Sequence, residues 1–329
     1  MKISVAVPAH NEESNIGLLI DTLRAQKLRS ASLAEIVVVA SGCSDRTIDI
    51  VRERQQRPGV PVRLIEEPIR RGKVAAINTY LRHCDSRSVG AICVCSADLL
   101  VAPDTLEQLV QRLLDEPDVG MCGAHPVPTN GVGTFLGEAT RFLWRMHHRV
   151  AMESPKLGEL VLVRAGIVHS LPADSMVDEA SLEQLIRAAG YELAYVPEAV
   201  VHNHGPETVR EFVRQRRRIA AGHYWLADVS GYRVATMNLP RIVRLTLSEM
   251  RSLRPLPLLF ALGAIGLECV ARALGFFDFK TNLEKHIAWK VSQSTKRVAN
   301  AEVLALYKEV GEVFSEDDST EAARQAAAS

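Results

Sequence analysis

The apolar run Ala91-Ile92-Cys93-Val94-Cys95 stops three residues short of a carboxylate, Asp98. So short and nearly unbroken an apolar run fits a strand buried on both faces, as at the centre of a parallel sheet. Open α/β sheets bind their ligands beyond the carboxyl ends of the strands, so an acid at that edge is a candidate metal or substrate ligand. An aspartate can also cap a helix, but Pro103 and Asp104 open the next helix more naturally. Four further groupings carry able side chains: Lys73 after Gly72, adjacent Asp178 and Glu179, His202 with His204, and the run Gln215-Arg216-Arg217-Arg218. Each has a plain alternative. A lysine at a helix start is usually solvated, acids suit any helix N-terminus, and a His-x-His pair is more often structural.

The elements that must position these groups read as strand and helix in alternation. Residues 2–7 form a strand, Pro8 to Glu13 a turn, and Ile16, Leu19, Ile20 and Leu23 recur at helical spacing. A second unit has a strand at 35–39, a turn at 40–45 and a helix at 47–54. A third runs from a strand at 62–65 through Arg70 to Lys73 into a helix carrying Ala76, Ile77 and Leu81, and the strand leading to Asp98 follows. The fold class is therefore α/β, with a mostly parallel, twisted sheet covered by helices on both faces. Beyond Asp98 the spacing predicts helices at 104–114, 135–150 and 180–189, and strands at 119–123, 192–196 and 199–202. Gly131 to Gly137 has the look of a dinucleotide fingerprint, with one residue too many and no predicted strand before it. The basic run lies on a further helix, followed by an apolar stretch at 255–277, a long helix at 282–314 and an acidic, then alanine-rich tail expected to be disordered. The expected division is a catalytic domain at 1–230, a helical and partly apolar region at 231–314, and the tail at 315–329.

Lys plus Arg and Asp plus Glu both number 39, so no overall field favours nucleic acid as a partner, and any basic site is local. Six cysteines without metal-ligand spacing suit a reducing cytoplasm, with Cys93 and Cys95 as small core residues. No basic segment followed by an apolar stretch precedes the first strand, so no signal peptide is expected.

In their order along the chain, six motifs resemble those of the inverting glycosyltransferases of family 2. They are Val7-Pro8-Ala9-His10-Asn11-Glu12-Glu13, Ser41-Gly42-Cys43-Ser44-Asp45-Arg46-Thr47, Gly72-Lys73-Val74-Ala75-Ala76-Ile77-Asn78, Ser96-Ala97-Asp98, Asp178-Glu179 and Gln215 to Arg218. The resemblance covers roughly residues 1–225 and implies the GT-A fold, which binds nucleotide-diphospho-sugars. It implies donor contacts from Pro8, His10, Glu12, Ser41, Lys73, Ser96, Gln215 and Arg218. Asp98 matches the second acid of the family's Asp-x-Asp motif, the one expected to hold Mg or Mn. His202 or His204 falls where related enzymes often place another metal ligand. Carboxylate and phosphate oxygens are hard ligands and suit those ions. Displacement at an anomeric carbon needs a base for the acceptor hydroxyl. Glu179 matches the family's catalytic aspartate and Asp178 the glutamate before it, in reversed order, so either carboxylate can be the base, with position favouring Glu179.

Three departures shape the expectation. Ile219 stands where the family's Gln-x-x-Arg-Trp motif has tryptophan, which speaks against a processive polysaccharide synthase. Ser96 replaces the first acid of Asp-x-Asp, and Ala40-Ser41 replaces a common Asp-Asp, which speaks against a uridine sugar as donor. The rival readings are an inactive GT-A homologue that only binds, and a sugar nucleotidyltransferase, whose glycine-rich first loop is missing from residues 8–13. The run 256–267 is short of the roughly 20 residues of a spanning helix. With Arg241, Arg244, Arg251 and Arg254 before it, attachment to the inner face of the cell membrane is expected, presenting a lipid, lipid-linked or saccharide acceptor.

Overall fold

In the computed structural model, which describes residues 1–281, 294–296 and 307, the first half of the chain follows the alternation of its sequence. It runs β1 (Lys2–Ala9), α1 (Ile16–Arg24), β2 (Ser32–Ser41), α2 (Thr47–Gln55), β3 (Val62–Glu67), α3 (Lys73–His83) and β4 (Ala91–Cys95). β1 pairs in parallel with β2 and β4, and β2 with β3. These strands are apolar on both sides because successive side chains enter different cores. Val5, Val7, Val38 and Cys93 join one, while Ala6, Val37, Val39 and Val94 join the other.

The second half comprises β5 (Leu99–Val101), α4 (Thr105–Asp115), β6 (Val119–Pro128), α5 (Phe135–Glu153), β7 (Leu160–Arg164), α6 (Asp178–Ala188), β8 (Glu192–Asn203) and α7 (Val209–Ser230). The strands form one sheet in the order β3-β2-β1-β4-β7-β6-β8-β5. β7 is antiparallel to β4 and β6, β5 is antiparallel to β8, and β6 is parallel to β8, so the sheet is mixed beyond β4. β7, a run of Leu and Val between Gly158 and Gly166, is a strand that the sequence pattern does not predict. The strands expected at 192–196 and 199–202 are one strand, β8, whose pairing with β6 shifts register between them. A strand does precede the Gly131 loop, since β6 extends to Pro128, but those glycines do not line the cleft described below.

β4 and β5 stand four positions apart in the sheet, yet only Ser96, Ala97 and Asp98 join them. A flat sheet would separate them by about 19 Å, whereas four peptide steps reach at most about 14 Å. The sheet must therefore curl, and the curl holds the Ser96 to Asp98 crossover above the strand ends.

α8 (Leu239–Met250) and α9 (Pro255–Thr281) follow α7, and α9 lies along α7 and α5. A Cβ on Gly275 would come within 2.5 Å of the Arg217 carbonyl oxygen, so only glycine permits that approach. Glu268, which interrupts the apolar stretch, accepts from Arg216 (2.7 and 2.9 Å) and Arg272 (2.7 Å), and Asp278 accepts from Arg217 (2.5 Å). Two arginines of the basic run thus fix the register of α9, a role suited to buried ion pairs. The helix expected at 282–314 and the tail at 315–329 lie almost wholly outside the described residues.

Candidate active site

A cleft of about 1260 Å³ opens at the carboxyl edge of β1, β2 and β4 and is closed on the far side by α6 and α7. Pro8, His10 and Glu12 reach it from the turn after β1, Ser41 from the end of β2, and Ser96 and Asp98 from the crossover. His10 Nδ1 lies 2.8 Å from the Ser41 carbonyl, which locks these two turns together. Gly72, at φ +95°, turns the chain into α3 so that Lys73 enters the cleft. Gln215 and Arg218 line it from α7, whose start is capped by Thr208 and Glu211. On that helix Arg210, Arg214 and Arg218 recur every four residues and share one side.

Lys73 is the hub. Its Nζ donates to Ser96 Oγ (3.0 Å) and to Glu179 Oε1 (2.7 Å) and lies 2.8 Å from Asp178 Oδ2. Asp178 and Glu179 form the first turn of α6, where the helix dipole favours acids. Burial pushes Asp178 up to about 6, helped by the Glu179 charge and opposed by Lys73. Burial also opposes ionisation of Glu179, but the Lys73 ammonium outweighs it and holds that carboxyl at about 2. The same two charges hold the Lys73 ammonium protonated well beyond its usual range against its own burial.

The side of the cleft beyond β1 and β4 is rich in acid. Burial, then the Asp98 charge, pushes Glu12 up to about 7. Asp98 is itself raised by burial, against the pull of Lys73 and Lys296. Buried carboxylates that repel one another in this way suit a cation. Among the described residues no three His, Cys, Asp or Glu side chains converge as an all-protein metal site requires. An ion at Asp98 would complete its shell with phosphate oxygens and water, as hard divalent cations commonly do.

His202 and His204 are not in the cleft lining. His202 sits within β8 opposite Leu100, its ring edge-on to Tyr307. Both ring nitrogens of His204 are engaged, by Thr129 (2.9 Å) and Glu207 (3.0 Å). The structure adds lining residues that the motifs did not announce: Arg70, Trp144, His147, Lys156, Glu159 and Lys296. Trp144 and His147, edge to face at 5.1 Å, bring to the cleft an aromatic surface that Ile219 lacks. Lys296 bonds to Glu12 Oε1 (2.5 Å) and to the carbonyls of His10 and Asn11 across almost the whole chain length.

Two family models match this chain: glycosyl transferase family 2 over residues 4–166, and glycosyl transferase family group 2 over residues 91–277, more than half its length. The chain belongs to glycosyltransferase family 2. A mannosyltransferase from Pyrobaculum calidifontis, solved with GDP-Man and Mn2+, superposes with a TM-score of 0.55 at 23% identity, covering 98% of this chain and 84% of that one. The curled mixed sheet is thus the GT-A fold of the family. A probable glycosyltransferase, YdaM of Bacillus subtilis (strain 168), is 26% identical over 68% of this chain and 56% of its own length. The undecaprenyl-phosphate 4-deoxy-4-formamido-L-arabinose transferase of Edwardsiella ictaluri (strain 93-146) is 31% identical over 33% of each chain. The chain thus spans about half of the first relative and a third of the second.

Proposed function

We propose that this family 2 protein moves a sugar, with inversion, from a nucleoside-diphosphate donor to a hydroxyl of a lipid or lipid-linked acceptor. The observation that carries the reading is the position of Lys73, one ammonium joined both to the Ser96 loop and to the Asp178–Glu179 pair. The donor diphosphate would lie at Asp98 with Mg or Mn, which offsets the charge that grows on the leaving group. Arg218, with Gln215 beside it, faces the same charge. A diphosphate near Lys73 draws the ammonium toward its oxygens, which loosens the grip on Glu179 and raises its basicity. Glu179 is the more open of the two acids, its side chain 20% exposed against 7% for Asp178, so it takes the acceptor proton. In this reading residues 1–230 carry the chemistry.

The test is product analysis with a panel of GDP-, UDP- and dTDP-linked sugars. Release of nucleoside diphosphate is expected. Release of pyrophosphate from a sugar phosphate and a nucleoside triphosphate would mark a nucleotidyltransferase instead, and neither product would mark a binding subunit.

The lipid part of the reading rests on α8 and α9. α9 has 27 residues, long and apolar enough to cross a membrane, but it lies along α7 and α5 of the catalytic domain. Its outer face carries Leu256, Leu259, Val270 and Phe277, and that of α8 carries Leu239, Val243 and Leu247, all exposed at helical spacing. Arg251 and Arg254 lie exposed between the helices, whereas Arg241 and Arg244 pair with Glu153 of α5. Such a stripe, rimmed by cations, suits an anionic membrane surface. Wild-type protein is expected to float with vesicles rich in phosphatidylglycerol, and the double variant L259D/F277D to stay behind. Equal behaviour of the two would make the stripe ordinary surface and favour a soluble acceptor.

A further inference from the structure

Glu159 stands in the turn that enters β7, with its backbone in the left-handed region at φ +63°. A glutamate there carries strain that glycine would not, and such strain gathers where a side chain is held for use. The turn is tied to the donor loop, since the Ser96 amide donates to the Glu159 carbonyl at 2.9 Å. The carboxylate accepts only a long bond from Asn203 Nδ2, 3.4 Å, and no ion pair with it occurs among the described residues. It lines the cleft, and burial, then the charges of Asp98 and Glu179, push its carboxyl up to about 7 against the pull of Lys73. If the diphosphate lies at Asp98 and the acceptor at Glu179, the transferred sugar must lie between them. Through Ser96 and Lys73, Glu159 is tied to both ends of that interval. A carboxylate only accepts hydrogen bonds, and a sugar ring offers several donors.

We propose that Glu159 reads the transferred sugar, its carboxylate accepting hydrogen bonds from hydroxyl or amino groups of the donor's sugar. This rests on the reading of the cleft as a glycosyl-transfer site. No motif of the sequence points to Glu159; the strained backbone, the weak internal partner and the place in the cleft do.

The test compares wild type, E159Q and E159G on GDP-, UDP- and dTDP-linked hexoses and their single-site deoxy analogues, following release of nucleoside diphosphate. E159G is expected to lower kcat/KM for the best donor by about 10-fold to 100-fold, the loss typical of one hydrogen bond to a charged group, with E159Q in between. One deoxy analogue should show that loss with wild type and no further loss with E159G. Binding of GDP or UDP with Mn2+ should stay within about threefold, because neither contains the sugar, and Tm should hold or rise as strain and a buried charge are removed. A structural glutamate would instead lower Tm by several degrees, and a metal ligand would lower nucleotide affinity in step with turnover. Either result, or an unchanged donor preference in an active enzyme, overturns the role of Glu159 alone. Wild type inactive on every donor overturns the glycosyl-transfer reading and this role with it.

Discussion

Replacing Glu179 with glutamine is expected to lower transfer to a hydroxyl acceptor by about 100-fold to 10,000-fold, the range of general-base loss. The substitution keeps the side chain's shape, so Lys73 retains an oxygen partner and donor affinity should change little. kcat, rather than donor KM, carries the effect, because the proton moves only as the acceptor oxygen bonds to the anomeric carbon. Asp178→Asn is the control. Asp178 is the more deeply buried acid and the one whose carboxyl stands near 6. If that variant is crippled while Glu179→Gln turns over normally, the base is Asp178. Should both variants retain activity on a phosphate-bearing lipid, the nucleophile is the already ionised phosphate, which needs no base. Steady-state kinetics with one donor and both acceptor types separates these results.

Asp98→Ala is expected to remove metal-dependent donor binding, by at least about 100-fold in affinity, since even an outer partner of a metal site is worth 10-fold to 100-fold. The fold should persist, because Asp98 occupies a cleft-side turn between β4 and β5 rather than the core of the sheet. Its effect on stability without metal has a definite sign. Burial holds the Asp98 carboxyl above its usual range, so the folded chain binds that proton more tightly than the unfolded chain. Ionising it at neutral pH therefore costs stability, a cost that vanishes as pH falls below the ordinary aspartate range. The variant without metal should melt no lower than wild type at pH 7, and the two should converge in acid. Adding Mn2+ with GDP or UDP should raise the Tm of wild type and leave the variant unmoved. Equal shifts in both proteins would place the metal away from Asp98.

The strand-helix alternation from Lys2 to Cys95 was legible because its signals are local: buried strands read as apolar runs, and turns as Pro, Gly, Asn and Asp clusters. The cleft residues on that side of the sheet were legible for a related reason. Turns that follow parallel strands must emerge on one edge of the sheet, so Pro8, His10, Glu12, Ser41, Ser96 and Asp98 share a cleft as soon as the topology is given. β7 had a local signal too, a Leu and Val run between glycines, but a lone short run is ambiguous, and its place between β4 and β6 is set by pairing across the chain.

Order along the chain, turn chemistry and hydrophobic period thus carry the fold class, the family resemblance and the edge of the sheet where the cleft opens. They do not carry charge pairing, because an ion pair depends on which elements the finished fold lays side by side. Arg216 and Arg217 adjoin Arg218 in a single basic run, yet packing commits them to Glu268 and Asp278 of α9, 52 and 61 residues away. Arg218, one position on, lines the same cleft but turns to the loop before α6, where it donates to the Met176 carbonyl at 3.4 Å. The same holds for Lys73, which meets Glu179 across 106 residues, and for Lys296, which reaches Glu12 across 284. The motif around Lys73 marks that lysine but not its carboxylate partners, and nothing in its sequence neighbourhood distinguishes Lys296 from a solvated lysine. Only the curl of the sheet and the return of the chain bring them to buried carboxylates, where low local polarity makes the meeting matter.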